Sequence, residues 1–143
     1  MVHLIINNTD VTEQYGIIPL EGAIVALMTP VPNKEYVENK PTMAHGKQVL
    51  ITNTYRDERD ITLPIGIKAS SQSAMLTSYN ELCKILYGGK VDIRLMEGKA
   101  NIMGGTTTYH LCYQSCAQVQ TFFRGIAKFN IKFNEPNPNN RVL

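Results

Sequence analysis

The stretch that most constrains this chain is Gly125–Arg141, GIAKFNIKFNEPNPNNR. Ala127, Phe129, Ile131 and Phe133 alternate with Ile126, Lys128, Asn130 and Lys132, so one face is apolar and aromatic and the other mostly polar. A period of two marks a half-buried β-strand, because successive side chains point to opposite faces. Pro136 and Pro138, each followed by Asn, then remove backbone donors and impose extended or turn geometry, so the ladder stops there. The expectation is a last core strand followed by a stiff tail that projects against something. Nothing in the segment carries covalent chemistry, which favours an assembly part over an enzyme.

Partners for that strand are spread along the chain. Val2–Ile6, Ile17–Leu20, Gln48–Thr52, Asp60–Ala69, Val91–Met96 and Thr107–Phe123, the last broken near Ser115–Gln118, read as strands. Asn7-Asn8-Thr9-Asp10, Glu97-Gly98-Lys99 and Gly104-Gly105 are turn signals between them. Ala23–Met28 is a further short apolar run. In Asp60–Ala69, Ile61, Leu63, Ile65 and Ile67 alternate with Thr62, Pro64, Gly66 and Lys68. Pro64 cannot donate to a ladder, which puts that strand at a sheet edge or at a bulge.

Ser70–Tyr87 is the one predicted helix. Met75, Tyr79, Leu82, Cys83 and Leu86 form a single apolar stripe at helical spacing. Ser71 or Ser73 caps its start, and Gly88-Gly89 ends it in the left-handed conformation that glycine tolerates. Many short strands with one amphipathic helix predict a mainly β (α+β) fold. It is an antiparallel β-sandwich or partly closed barrel, with the helix at about 71–87 across one face or end. The chain reads as a single domain over residues 1–143, with a long irregular loop at Thr29–Lys47 and a Pro/Asn-rich tail at 134–143.

Composition narrows the partners. Hydrophobic residues make up 43% and charged residues 18%, which describes a folded domain with a weakly charged surface. A net charge of +2, with no run of Lys or Arg, argues against nucleic acid. No apolar run approaches the ~18 residues that span a bilayer, and the apolar start lacks the basic flank of a signal peptide. The default compartment is therefore cytoplasmic. Cys83, Cys112 and Cys116 are an odd set. Cys112 and Cys116 on one strand would lie about 13 Å apart, too far to share an ion or a disulfide. Buried or half-buried free thiols are expected, with no metal and no cofactor.

Catalytic signatures are missing. The sequence has no G-x-S-x-G, H-E-x-x-H or Walker loop. Gly88-Gly89-Lys90 follows a helix, whereas phosphate binding needs a loop before one. His3, His45 and His110 stand apart from partners in sequence, and His45 reads as a solvated loop residue. The charges of Arg56-Asp57-Glu58-Arg59-Asp60 could hold paired carboxylates for work on a sugar. Mixed signs at consecutive positions read better as a solvated loop leading into a strand. No catalytic residue is predicted.

Taken in order, the Tyr15-Gly16 segment, the Pro-rich excursion, YRDERDITLPI, the Ser-opened helix ending in Gly-Gly, VDIRLM, YHLCYQSCAQ and GIAKFNIKFNEPNPNNR form a pattern. Over nearly the whole chain it resembles the distal tail proteins and related baseplate components of long-tailed bacteriophages, with the flavour of Bacteroides-type prophages. The resemblance implies a β-sandwich or barrel with one helix. It also implies a ring of six copies, in the virion tail, joining the tail tube to the hub and to tape-measure-associated proteins. It covers the ring-forming domain, not the second, carbohydrate-binding-like domain that many members carry. Tube and tail-completion subunits are near alternatives. A small carbohydrate- or ligand-binding β-sandwich is the alternative of another class.

A ring would cover the unpaired edges that a small open sandwich exposes. The segments expected to contact neighbouring subunits are the loop and the tail. Their candidate residues are Pro30, Pro32, Lys34, Tyr36, Pro41, His45, Glu135, Pro136, Pro138 and Arg141.

Overall fold

A computed structural model of the chain describes residues 2–34, 37–39, 46, 48–50, 56–116, 119–123 and 125–141. Strand β1 (Val2–Ile6) turns through Asn7 and Asn8 into β2 (Thr9–Asp10). Both asparagines have positive φ, 51° and 66°, which a two-residue hairpin of matching twist requires. Helix α1 (Val11–Tyr15) is capped by the Asp10 side chain, which accepts from the Glu13 amide. Gly16 ends it at φ 68°, with an added Cβ only 2.3 Å from the Lys68 carbonyl oxygen, so no other residue fits. Strand β3 (Ile17–Pro19) and helix α2 (Ala23–Met28) follow.

The remaining elements are β4 (Val37–Asn39), β5 (Gln48–Leu50), β6 (Arg59–Lys68), α3 (Gln72–Tyr87), β7 (Lys90–Glu97), β8 (Ala100–Asn101), β9 (Tyr109–Ser115), β10 (Val119–Phe123) and β11 (Ile126–Glu135). A short 3-10 turn, Pro138–Asn140, comes last. One antiparallel sheet runs β2-β1-β7-β9-β11-β6-β3, with β8 beside β7 and β10 beside β11. Strands β4 and β5 pair separately. The predicted long strand broken near Ser115–Gln118 is β9 and β10, which pair with successive stretches of β11.

The core follows from the two alternating strands. Ile67, Ile65, Leu63 and Ile61 stand opposite Ala127, Phe129, Ile131 and Phe133, and all eight are 5% exposed or less. Leu4, Ile6, Val91, Ile93, Leu95 and Leu111 continue the same inward face. Thr12 then curls the sheet. Its hydroxyl accepts from the Leu4 amide at 2.8 Å and donates to the Ile17 carbonyl at 2.7 Å, bridging β1 to β3 where no ladder joins them. The result is the β-rich, partly closed architecture expected, with α3 packed against β6 and β7. Met75, Leu82 and Leu86 are buried. Tyr79 is only half-buried and stacks on Phe129, with ring centroids 5.8 Å apart.

Four expectations need correction. Among the described residues there are two short α-helices besides α3. Ala23–Met28 is helical because a six-residue apolar run has no period to separate helix from strand, and Ala, Leu and Met favour the helix. Strand β6 is at the edge only up to Pro64, since β3 pairs with Ile65–Ile67. Pro64 is tolerated because β3 ends beside it: Leu20 N donates to the Pro64 carbonyl at 3.0 Å, and among the described residues no ladder partner lies beyond. The loop at Thr29–Lys47 is not wholly irregular, since Val37–Asn39 forms a strand within it. Cys112 is exposed, while Cys83 and Cys116 are half-buried.

Candidate functional site

The inward ladder of β6 and β11 does not end on an apolar pair. Its period of two continues from Ile61 back to Arg59 and from Phe133 on to Glu135, and the register makes Arg59 and Glu135 direct cross-strand partners. Arg59 is 4% exposed and Glu135 0%. Charges so placed need both pairing and hydrogen bonds. Arg59 Nε donates to Glu135 Oε1 at 2.7 Å. Its Nη1 donates to the Leu27 carbonyl at 3.1 Å and also to the Thr29 carbonyl. These are carbonyls at the C-terminal end of α2, where the helix itself supplies no donors.

Arg141 returns to the same carboxylate. Its Nε donates to Glu135 Oε2 at 2.8 Å and its Nη2 to Oε1 at 2.7 Å, the side-on fork that suits a planar guanidinium. Both arginines lie over the Tyr109 ring, with Cζ 4.8 Å from the centroid for Arg141 and 5.7 Å for Arg59. Burial alone would push the Glu135 carboxyl up. The hydrogen bonds and charges of Arg141 and Arg59 outweigh it and hold the group below its ordinary value. Burial pushes the Tyr109 hydroxyl up despite the two cations beside it. Arg59 Nη2 is buried and has no hydrogen-bond partner among the described residues.

Loop and tail meet at this end of the sheet. Asp57 N donates to the Pro32 carbonyl at 2.8 Å, and Asn33 is bridged to Arg56. Arg56 Nη1 in turn donates to Asn139 Oδ1 at 3.1 Å in the tail. Pro30, Pro32 and Lys34 are exposed, whereas Tyr36, Pro41 and His45 lie outside the described residues. Pro136 is exposed, Pro138 is buried and Arg141 is partly so.

The tail therefore folds back on its own chain instead of projecting. Proline stops the ladder as expected, but Arg141 is drawn to a carboxylate that the ladder has already buried. Arg59 does not belong to a solvated loop either. The signal for it was the uninterrupted period of two, masked by the mixed charges around it. Glu135, expected at a contact between subunits, is wholly enclosed by its own chain.

Other polar groups are arranged on the outer surface. His3 Nδ1 lies 2.7 Å from Asp10 Oδ2, and His110 Nδ1 lies 2.8 Å from Asp92 Oδ1, so neither histidine is isolated. His110 and Cys112 share the outer face of β9, but the imidazole is engaged by Asp92 across the strand. Among the described residues, no group of three or more His, Cys, Asp or Glu is placed to hold a metal ion. None of the described helices is long and apolar enough to cross a membrane. What the geometry does provide is a clamp: one buried carboxylate with an arginine from the sheet and an arginine from the tail.

Fold and clamp together define a curled antiparallel β domain whose end is strapped by its own tail. Among solved structures, the fold is similar to that of the Dit protein (gp 19.1) of phage SPP1, described as a paradigm of the hub adsorption apparatus in phages that infect Gram-positive bacteria. The match has a TM-score of 0.65 at 13% identity and covers 96% of this chain. This chain spans about half of that protein, 51% of its length. No family model matches the sequence, and no curated protein matches it.

Proposed function

We propose that the protein is a structural component of a phage tail, a distal tail or baseplate ring subunit that joins the tail tube to the tail tip. The observation that carries this reading is the likeness of fold to the SPP1 Dit protein over nearly the whole chain. The sequence pattern extends the reading to a Bacteroides-type prophage and to a closed ring of six copies. In that ring a head-to-tail contact that closes on rotation would use the end where loop and tail meet. Exposed Pro30, Pro32, Lys34 and Pro136 are the contact residues offered there, with Tyr36, Pro41 and His45 further along the loop. Glu135, Pro138 and Arg141 support that end from within. The partners would be further copies of the chain and the adjoining tube and hub proteins, in the virion tail. The domain acts here by shape and contact, not by chemistry.

Native mass spectrometry and single-particle imaging of the purified protein, alone and with adjoining tail proteins, test the reading. The expected result is a closed ring of defined copy number. A strict monomer that joins no particle in either condition would overturn it.

A further inference from the structure

The clamp holds an asymmetry that points to a conformational device. Two guanidiniums share one carboxylate, and they share it unequally. Arg141 takes both oxygens through the Nε and Nη2 edge of its fork. Arg59 reaches Oε1 through Nε alone, and its Nη2, on the edge beside Nε, is left buried without a partner among the described residues. That nitrogen is the one a side-on fork would use for the second oxygen. A buried donor left unmade is unfavourable, and few native groups are left so. Here a geometric reason is visible: the Arg141 fork takes the edge of the carboxylate that presents both oxygens, which leaves Arg59 only Oε1.

We propose that residues 136–141 form a releasable strap, whose departure hands the Glu135 carboxylate over to Arg59. When Arg141 leaves, that edge is free to turn to Arg59, whose Nε and Nη2 then take one oxygen each. The buried pair becomes a full fork instead of a broken one. Arg59 and Glu135 are fixed opposite each other by the β6–β11 register, so their contact does not depend on the tail. Arg59 Nη1 keeps its bonds to the Leu27 and Thr29 carbonyls throughout, so the exit of α2 stays held. The other tether of the strap, Arg56 to Asn139, is an exposed single hydrogen bond. Undocking bares the face of Tyr109 on which Arg141 lies. The strap thus covers an aromatic surface beside the loop base and can uncover it without unfolding the sheet. This device does not depend on whether the chain assembles into a ring, and it is tested on the isolated protein.

The test compares Arg141→Ala with Glu135→Gln and Asn139→Ala by hydrogen exchange and thermal unfolding. In Arg141→Ala, exchange at the amides of 139–141 should rise roughly tenfold or more, while amides at 27–29 and in β6 and β11 stay unchanged. Its melting temperature should fall by only about 2 °C or less. Glu135→Gln should fall much further and loosen both the tail and the α2 exit. Asn139→Ala alone should leave the tail docked, because the fork at Glu135 remains. The proposal is overturned if Arg141→Ala melts as low as Glu135→Gln, or if exchange at 27–29 rises together with that of the tail. Either result would mean that Arg59 does not inherit the carboxylate. Should Glu135→Gln fail to fold, the Arg141→Ala exchange pattern decides alone.

Discussion

The two ends of the β6–β11 pair share one register and one inward face, yet they are held by different physics. At one end Ile67 faces Ala127 and Ile65 faces Phe129, and the Phe129 ring is covered by Tyr79 of α3. There the stabilisation is area removed from water, which is non-directional and lost in proportion to the atoms removed. At the other end Arg59 faces Glu135, and the same inward position is occupied by charge. That rung is all-or-none, because a buried ion is tolerable only while its partner is present. The apolar end closes the core. The ionic end organises the segments that leave it, namely the α2 exit and the tail.

The contrast is broken most directly by truncating one member of each kind of rung. Glu135→Ala strands two arginines, one of them almost fully buried, and should cost about 3–5 kcal/mol of stability. Leu63→Ala, at a side chain with 0% exposure, should cost about 2–5 kcal/mol through lost burial and the cavity left behind. Urea titrations of both variants supply the values. A double replacement separates the two mechanisms: Arg59→Met with Glu135→Leu should restore most of the loss of Glu135→Ala, because it removes the two most buried charges together and strands only the partly exposed Arg141. A double variant no more stable than Glu135→Ala would show that the bonds to Leu27 and Thr29, not the ion pair, carry the rung.

Acid sharpens the same comparison. The folded Glu135 carboxyl lies below its ordinary value of 4.5, since Arg141 and Arg59 outweigh burial. A depressed carboxylate contributes stability that is present in full above the unfolded value. That contribution is lost as pH falls through the lower folded value. The stability difference between the wild type and Glu135→Gln should therefore be constant at neutral pH and shrink below about pH 4.5. Asp10, also lowered, adds to the wild type's acid sensitivity but is common to both proteins. The difference between the wild type and Leu63→Ala, with no titrating group removed, should stay flat over that range. A flat Glu135→Gln difference down to pH 2 would contradict the direction of the shift.

Much of the apolar end was legible in the sequence and little of the ionic end was, for a physical reason. Ile61–Ile67 and Ala127–Phe133 announce themselves by period two, and α3 by its stripe, because both are local patterns. The same period reaches Arg59 and Glu135 if followed one step further. A charged residue at an inward position is, however, usually a sign that the strand has ended. What reverses that inference is a partner 76 residues away, and nothing local encodes it. Thr12 is hidden for the same reason: its hydroxyl joins β1 to β3 through contacts that only the folded chain brings together. Helix α2 escaped because six apolar residues in a row carry no period at all. The tail was half legible, since proline correctly ends the ladder but says nothing of where Arg141 goes.

The smallest expected effect lies at the start of α3, on the covered side of the core. Ser71 has extended backbone, and its hydroxyl oxygen accepts from the Ala74 amide at 3.1 Å, supplying a partner to one of the first-turn amides that the helix cannot satisfy itself. Ser71→Ala should cost about 1 kcal/mol. The loss belongs to α3 alone, so hydrogen exchange should rise in its first turn while the tail at 139–141 keeps its protection. This outcome would show that the apolar end can be weakened without disturbing the clamp. A rise in tail exchange in Ser71→Ala would instead mean that the two ends of the ladder open as one unit, and that the division between them drawn from their packing is not a division in stability.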